Sequence, residues 1–414
     1  MKKKRFDINM PKGYSKMIHL IMLLLSFFGA IMVTSASMSG QNTQSLAFLI
    51  TKQFGFIVIS YILMIFFARK FQWKWFFNPS RGLNYILLFF LVFILVPRFF
   101  DPVYGSYNWI QLPGGFTIQS SEISKPFIIA IIASVLGGLP VDSWMLDKER
   151  LKKVKFTDKI KRVWTVVKGP LIAVVAMMGI ILIVQNDFGT FMIILVIAAT
   201  LVFMASHPFI TGLQRILLIV FIVAIGIGVF AMTPGGIHLL ETIGFEEYQL
   251  NRITSLYTLF ERDRILSTSM QQVNGLLAFA KGGLFGNGLG SSILKYGYIP
   301  EQESDYVLAI LIDEFGFIGF LLITIGYIII MFILFKHAFK IKHQPSRLYL
   351  IGTATYIFVH YLFNVGGTSG LIPLTGVPLL LISAGGSSQM AIFIAMGISQ
   401  NIIARHVSSE RKRK

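Results

Sequence analysis

The chain has 414 residues, of which 55 % are hydrophobic and 14 % are charged, and its net charge is +18. Soluble domains carry about 25 % charged residues, so this composition excludes a soluble globular protein and indicates an integral membrane protein. The absence of cysteine excludes disulfides and thiolate chemistry, and the seven histidines form no HExxH or Cys/His metal-binding pattern.

Apolar segments follow one another along the chain and predict an all-α integral membrane protein with ten transmembrane helices. An apolar run of about 20 residues spans a bilayer, and polar or glycine- and proline-containing stretches separate the runs. The predicted helices are residues 17–38, 46–68, 83–96, 122–141, 169–184, 188–205, 215–232, 305–335, 348–365 and 379–404. We therefore expect three parts: a basic leader (1–16), a ten-helix domain (17–404) and a basic tail (405–414).

The basic residues indicate how these helices are oriented. Most of the 37 Lys and Arg residues fall in the leader, in the tail and in every second loop, whereas most acids fall on the other side or in the membrane. Cytoplasmic loops carry an excess of Lys and Arg. Both termini are therefore predicted to be cytoplasmic, and residues 233–304 to form a large extracellular loop. The same distribution places the positive charge against an anionic inner leaflet, so we expect a multi-pass plasma membrane protein without a nucleic-acid partner.

Polar side chains mark the outer parts of three predicted helices. Glu122 and Lys125 are three residues apart, so they share a helix face and can pair; the alternative is a pair that only caps the helix. Asp187 lies between two apolar helices, where it is either a functional acid or the N-cap of the second. Ser383 begins a glycine-rich stretch (383–388) inside the tenth predicted helix, which indicates either close packing or a broken helix beside a cavity.

Asp305 begins the eighth predicted helix, and Asp313 and Glu314 lie two turns further along it. Acidic side chains in an apolar helix are unfavourable and often functional. The alternative role for Asp305 is a helix cap, although no Glu or Gln follows three residues after Ser304 or Asp305 to complete a capping box. Spacing alone leaves both roles open. The glycine-rich stretch 282–290 is not a nucleotide-binding loop, because it lacks the Lys-Ser/Thr ending.

Several long motifs occur in one order: NWI, QSSEISK, QNDFGT, KGGLFGNGLGSSILKYGYIPEQESDYVLAILIDEFGFIG and NVGGTSGLIPLTGVPLLLISAGGSS. Over nearly the whole chain this order resembles the SEDS family, which comprises FtsW, RodA and SpoVE; the YIPE and GGSS segments favour the FtsW branch. The resemblance implies a peptidoglycan glycosyltransferase that polymerises lipid II into glycan strands on the outer face of the bacterial cytoplasmic membrane, during division or elongation. It implies as partners lipid II, the lipid-linked glycan chain, a class B penicillin-binding protein and other division or elongation membrane proteins.

The resemblance also implies functional residues. The family's essential Asp, in its PE…TD segment, matches Asp305; its Trp before the fourth helix matches Trp109; and its QPSE…K motif matches Gln119, Glu122 and Lys125. The chain departs from the family pattern at several positions that remove no charged candidate, among them Asn108, Ser120, Asn186, Leu380 and Ala384.

We expect Asp305 to act as the general base that takes a proton from a hydroxyl of the acceptor sugar. Cations or a metal would stabilise the diphosphate leaving group, and the candidates are Lys125, Arg252 and Lys295. The predicted substrate-binding set is completed by Trp109, Gln119, Glu122, Asp187, Glu301 and Ser383. The sequence leaves open whether Asp305 or Glu122 also holds a divalent cation, Mg²⁺ or Mn²⁺.

Two other functions are compatible with the same ten helices. A lipid II flippase would need polar residues through the full depth of the membrane, whereas most polar groups here gather on the outer side, and no clear inverted repeat is visible. A non-catalytic scaffold of the division machinery would bind its membrane partners without polymerising lipid II.

Overall fold

The computed structural model describes residues 9–38, 46–77, 81–102, 106–113, 116–142, 145, 147, 153–231, 233–244, 270–299, 302–373 and 375–412. Its helices are α1 (Lys16–Ala36), α2 (Leu46–Lys70), α3 (Arg81–Leu95), α4 (Ser120–Gly137), α5 (Phe156–Gly179), α6 (Phe188–Met204), α7 (Thr211–Ala231), α8 (Pro234–Ile243), α9 (Met270–Gly282), α10 (Val307–Lys340), α11 (Gln344–Thr368) and α12 (Gly386–Arg411). An antiparallel hairpin of β1 (Trp109–Leu112) and β2 (Phe116–Gln119) precedes α4. A π-helical turn, Ile180–Val184, extends α5.

Nine helices of the described part are long and apolar enough to cross a membrane: α1 to α5, α7 and α10 to α12. The chain is therefore a multi-pass membrane protein, as its composition predicts. The remaining apolar helix, α6, has 17 residues. At 1.5 Å per residue it is about 26 Å long, slightly shorter than a hydrocarbon core of about 30 Å. Within the described residues, a count of ten spans requires α6 to cross the bilayer.

The tenth predicted helix, 379–404, is wrong at its start. The helix α12 begins only at Gly386, and residues 379–385 follow a turn-rich path in which Leu381 has φ +69°. Ser383 therefore precedes the helix instead of lying within it. An apolar run in the sequence does not show whether the residues form a helix or irregular buried backbone. Irregular backbone is stable inside the protein when neighbouring groups form its hydrogen bonds.

Other predicted boundaries also shift. The helix α4 runs over 120–137 instead of 122–141, and α10 over 307–340 instead of 305–335. The basic segment between the fourth and fifth predicted helices, residues 142–168, is helical from Phe156 onward, where α5 begins; Lys and Arg are good helix formers. The predicted extracellular loop contains α8 and α9, and the predicted tail is helical as far as Arg411.

Three helices, α4, α11 and α12, form the centre of the bundle, and most of their residues are buried. The fit of α12 against α2 is close, since a Cβ on Gly397 would lie 2.5 Å from the carbonyl oxygen of Met64. The helix α7 lies at the periphery, because none of its described side chains is buried. The polar ends of the three central helices consequently meet inside the protein.

The helix α10 is interrupted at Gly316, where φ is +67°. The glycine-rich loop after α9, residues 283–290, forms backbone hydrogen bonds with α10 on both sides of this interruption. The N–H groups of 317–318 donate to the carbonyls of 283–284, and the N–H groups of 287–288 donate to the carbonyls of 313–314, at 2.9 to 3.1 Å. The loop and the first part of α10 therefore form one hydrogen-bonded unit.

Candidate functional site

The segment between α11 and α12, residues 375–385, organises the candidate site. Asn364 on α11 holds this segment to the start of α10, because its Nδ2 donates to the carbonyl oxygens of Asp305 and Val377, each at 2.9 Å. Irregular backbone at membrane depth needs such partners. The segment thereby joins the entrance of α10 to the polar ends of α11 and α12.

Asp305 lies just before α10 and is half-buried. The residue at the N-cap position of α10 is Tyr306, whose side chain makes no capping hydrogen bond. Gly376, with φ +66°, faces the carboxylate, since a Cβ there would lie 3.3 Å from Asp305 Oδ2. Burial and the Asp305 carboxylate raise the pKa of the neighbouring Tyr306 phenol. Asp305 is thus a carboxylate placed against a backbone turn, at the edge of a poorly hydrated region.

The predicted pair of Glu122 and Lys125 forms within α4, and both side chains are buried. The Lys125 ammonium donates to Glu122 Oε1 and lies 3.1 Å from Nε2 of His360 on α11. An ammonium only donates, so Nε2 accepts, and the proton on Nδ1 is directed to the carbonyl oxygen of Pro378 at 3.2 Å. This tautomer follows from the hydrogen-bond network. Through His360 the ion pair is tied to the same segment that faces Asp305.

Asp187 is the N-cap of α6 and also part of this polar group. Its Oδ1 accepts the N–H of Thr190 at 2.9 Å, and its Oδ2 accepts from Nε2 of Gln119 at 2.8 Å. The N–H of Gln119 donates to Ser387 Oγ, at the start of α12, at 2.9 Å. Gln119 therefore links the ends of α6 and α12 beside the first turn of α4.

The hairpin places Trp109 beside Gln119, its cross-strand neighbour. The preceding chain is anchored by Ser106, whose Oγ donates to the carbonyl oxygen of Gln185 at 2.7 Å. Gln185 Nε2 donates in turn to Ser120 Oγ at 3.1 Å. Trp109 is half-buried, so it presents part of its ring at the border of the polar group.

Lys295 lies in a separate buried cluster. Its Nζ is 3.2 Å from Glu314 Oε1, and both side chains are fully buried. Nζ also donates to the carbonyl oxygen of Gly290 at 2.8 Å, while Ser35 Oγ donates to both oxygens of Glu314 at 2.7 and 2.8 Å. These contacts do not bring Lys295 to Asp305, and its binding to a diphosphate stays a prediction.

Of the three other predicted residues, Ser383 lies in the described part of the chain. Ser383 Oγ accepts the N–H of Leu379 at 2.8 Å and so closes a turn of the segment 375–385. Arg252 and Glu301 lie outside the described residues. The roles of these three residues at the substrate stay predictions.

Two side chains on α11, His360 and Asn364, are central to the site but are absent from the predicted set. Both are buried, in a helix that the sequence indicates only as an apolar span. The signal that could have found them is the one applied to Asp305, because a polar side chain within an apolar helix needs a partner or a function. Gly376 offers no such signal, since the chain has 37 glycines and only the fold shows which of them have a positive φ.

The site combines a half-buried carboxylate with a buried ammonium and a buried imidazole. Within the described residues no group of three His, Cys, Asp or Glu could hold a metal. Of the two predicted ligands, Glu122 is buried, whereas Asp305 is half-buried, so Asp305 is better placed to meet substrate phosphates. Magnesium often uses only one or two carboxylates together with substrate phosphates. The described residues fit that kind of site and not a site made of protein ligands alone.

Comparison with known families and proteins gives matches over almost the full length of the chain. The model of the FtsW/RodA/SpoVE family, described as a cell cycle protein, matches residues 15–408. The chain is 32 % identical over 420 residues to the probable peptidoglycan glycosyltransferase FtsW of Bacillus subtilis (strain 168), covering 98 % of this chain and 94 % of that protein. It is 30 % identical over 387 residues to the stage V sporulation protein E of the same strain, covering 92 % and 95 %.

Solved structures share the fold. A chain from a structure described as "Structural coordination of polymerization and crosslinking by a peptidoglycan synthase complex" superposes with a TM-score of 0.68 at 19 % identity, covering 95 % of this chain and 98 % of that one. The rod shape determining protein RodA of Thermus thermophilus superposes with a TM-score of 0.56 at 18 % identity, covering 95 % and 97 %.

Proposed function

The chain belongs to the FtsW/RodA/SpoVE family of cell cycle proteins, and we infer from this membership that it is a peptidoglycan glycosyltransferase of the bacterial plasma membrane. It polymerises lipid II into glycan strands on the outer face. The observation that carries the inference is the family match over residues 15–408. The 32 % identity to a relative named a probable peptidoglycan glycosyltransferase agrees with it. The polar network of α4, α6, α11 and α12 beside Asp305 supports it.

Asp305 is the proposed general base. The 4-hydroxyl oxygen of the acceptor sugar attacks the anomeric carbon of the donor, and the bond from that carbon to the diphosphate breaks with its electron pair. The hydroxyl proton passes to the Asp305 carboxylate. A half-buried carboxylate at the start of α10 suits this role, because a base must be within reach of the substrate and partly shielded from water.

Lys125 supplies the positive charge that opposes the diphosphate. Preorganised cations stabilise charge that develops on a leaving group, and Lys125 is held by Glu122 and His360. Its side chain is fully buried, so a diphosphate reaches it only when the ion pair with Glu122 rearranges. The remaining residues proposed to bind substrate are Trp109, Gln119, Asp187, Arg252, Lys295, Glu301 and Ser383.

A divalent cation, Mg²⁺ or Mn²⁺, is part of the proposal. Asp305 would supply one ligand and substrate phosphates the others, and the bound cation would neutralise charge on the diphosphate. Loss of polymerisation in EDTA and its recovery on adding Mg²⁺ would support the cation, whereas unchanged activity in EDTA would argue against it.

The proposed enzyme spans the membrane ten times, with α6 as one span and both termini in the cytoplasm. It works with a class B penicillin-binding protein, which supplies the transpeptidase, and with other division or elongation membrane proteins. The shared fold with a chain of a peptidoglycan synthase complex supports such a partner.

The test compares wild type and Asp305→Asn, each purified with a class B penicillin-binding protein and supplied with lipid II. Asparagine keeps the shape of the side chain but cannot take the proton, so polymerisation should fall about 10²- to 10⁴-fold. The readout is a ladder of glycan strands on a gel. Asp101→Asn makes the same change at an exposed position between α3 and β1 and should retain wild-type activity.

Full polymerisation by Asp305→Asn would exclude Asp305 as the base. Movement of lipid II across proteoliposomes without polymer formation by the wild type would support a flippase instead. Partner binding with neither activity would support a scaffold.

A further inference from the structure

A basic cavity of about 1180 Å³ lies at the end of the bundle opposite the candidate site. The chain before α1 and the last turns of α2 and α12 form its walls. Five cationic side chains line it: Lys12, Arg69, Lys70, Arg405 and Lys412. None of the described residues in its lining is acidic. The cavity is therefore a concave surface with a strong positive charge.

Specific hydrogen bonds hold the walls of the basic cavity together. Asn401 on α12 is buried, and its Nδ2 donates to the carbonyl oxygen of Ala68 on α2 at 2.6 Å. Arg69 Nε donates to the carbonyl oxygen of Asn9, which ties α2 to the chain before α1. The three walls are thus linked to one another, and the cavity is built into the bundle.

The ends of α2 and α12 compensate only part of this charge. A helix C-terminus carries about half a negative charge, so two helix ends offset about one of the five positive charges. Arg405 Nη2 donates to the carbonyl oxygen of Phe71 at 2.8 Å, but a guanidinium has five N–H donors. The basic cavity is therefore suited to an anion with several acceptor oxygens.

An apolar groove of about 490 Å³ adjoins the basic cavity, and Lys70 lines both. The groove lies between α2 and α3. Phe71, whose carbonyl oxygen accepts from Arg405, is one of its lining residues. Trp75 and Tyr85, also in its lining, are 54 % and 70 % exposed. Such aromatic side chains are enriched where a membrane meets water, so positive charge and apolar surface meet at the height of the lipid headgroups.

We propose that the basic cavity and the apolar groove together bind an anionic phospholipid of the inner leaflet. The phosphate lies among Lys12, Lys70 and Arg405, where charge-assisted hydrogen bonds to its oxygens are strong. An acyl chain lies in the groove beside Trp75. The contact of the two surfaces at Lys70 favours a lipid over a soluble phosphate compound, which has no apolar part to fill the groove. The site requires this end of the bundle to face the cytoplasm, and it is independent of glycosyl transfer.

The experiment measures binding to the purified full-length protein in detergent by native mass spectrometry. The probes are dioctanoyl phosphatidylglycerol, the zwitterionic dioctanoyl phosphatidylcholine, and glycerol 3-phosphate, which has a phosphate but no acyl chain. Phosphatidylglycerol should bind at least tenfold more tightly than either of the others, because only it combines net negative charge with acyl chains.

Two variants separate the basic cavity from the apolar groove. Lys12→Gln/Lys412→Gln removes two exposed lysines from the cavity and should weaken phosphatidylglycerol binding about tenfold or more. Trp75→Ala should weaken binding of phosphatidylglycerol and leave that of glycerol 3-phosphate unchanged. The matched control is Lys340→Gln/Lys342→Gln, which removes two exposed lysines at the end of α10, outside both lining sets. It should bind phosphatidylglycerol as the wild type does.

Four outcomes would overturn the proposal. Equal binding of phosphatidylcholine would mean that charge is not recognised, and equal binding of glycerol 3-phosphate would assign the cavity to a soluble phosphate compound. Equal losses in the Lys12/Lys412 variant and in the control would mean that only total charge matters. Binding that occurs only after removal of residues 1–8 would mean that these residues of the chain itself occupy the cavity.

Discussion

Asp187 and Asp305 have similar sequence contexts, each preceding an apolar helix, but they stand at different positions relative to the helix start. Asp187 accepts a backbone N–H of α6 and therefore caps that helix. Asp305 is followed by Tyr306, which occupies the N-cap of α10. An N-cap side chain accepts from the backbone N–H two or three residues ahead, so a shift of one residue in the helix start changes which residue occupies the N-cap. Sequence spacing does not resolve such a shift.

His360 is predicted to be a positioning residue for Lys125. His360→Leu removes an acceptor from the buried ammonium, and an unsatisfied buried group is unfavourable by about 1–3 kcal/mol. We expect a fall in the polymerisation rate constant of about tenfold, with little change in KM for lipid II. His360→Gln, whose amide can both accept and donate, should recover most of the rate. Wild-type kinetics in His360→Leu would contradict the role.

The buried ion pair of Lys295 and Glu314 is predicted to stabilise the fold. Lys295→Met leaves the Glu314 carboxylate buried without its cation, which should destabilise the protein by about 3–5 kcal/mol. The measurement is the free energy of unfolding in detergent. Lys281→Met, at an exposed position on α9, is the control and should change stability by no more than about 0.5 kcal/mol.

The double variant Lys295→Met/Glu314→Gln separates this structural role from the predicted binding of diphosphate. It removes both charges and should recover most of the stability. If it also polymerises lipid II at the wild-type rate, Lys295 does not contact substrate. If it is stable but inactive, the original prediction for Lys295 stands.

At the scale of elements, the interruption of α10 depends on glycine. A Cβ on Gly316 would lie 2.5 Å from the carbonyl carbon of Leu284, and its φ of +67° disfavours other residues. Gly316→Ala should therefore lower the free energy of unfolding by about 2 kcal/mol or more. It should also increase hydrogen exchange in the loop 282–290, whose backbone bonds to α10 would be lost.

Gly228→Ala is the matched control for this substitution. Gly228 lies within α7, and a Cβ there meets nothing within 4 Å. Alanine is favoured over glycine in a helix by about 0.5–1 kcal/mol, so the control should be neutral or slightly stabilising. Equal destabilisation by both changes would mean that the interruption of α10 is not specific for glycine.

The segment 375–385 explains why one element was predicted wrongly. Its residues 379–382 are all apolar, and the sequence therefore indicates a helix that continues into α12. In the structure the segment is held by side chains on other helices, such as Asn364 and His360 on α11. Periodicity records which residues avoid water, but not whether the backbone finds its partners within its own helix or elsewhere.

For the whole molecule, the predicted orientation can be tested with single cysteines, because the chain contains none. Tyr296→Cys and Ser409→Cys lie at exposed positions near opposite ends of the bundle. A membrane-impermeant maleimide should label Tyr296→Cys in intact cells and Ser409→Cys only after permeabilisation. The cysteine-free parent protein is the control, and the reverse pattern of labelling would invert the predicted topology.

Composition and motif order were sufficient for the membrane class and the family, because hydropathy and family motifs can be read directly from the sequence. The tertiary structure was needed to join Asp187 to Gln119, to connect Lys125 through His360 to the segment beside Asp305, and to place Lys295 in a different cluster. These pairings link residues far apart in sequence, and their geometry arises only when several helices pack together. A buried charge reveals that it needs a partner, but only the packing determines which partner it finds.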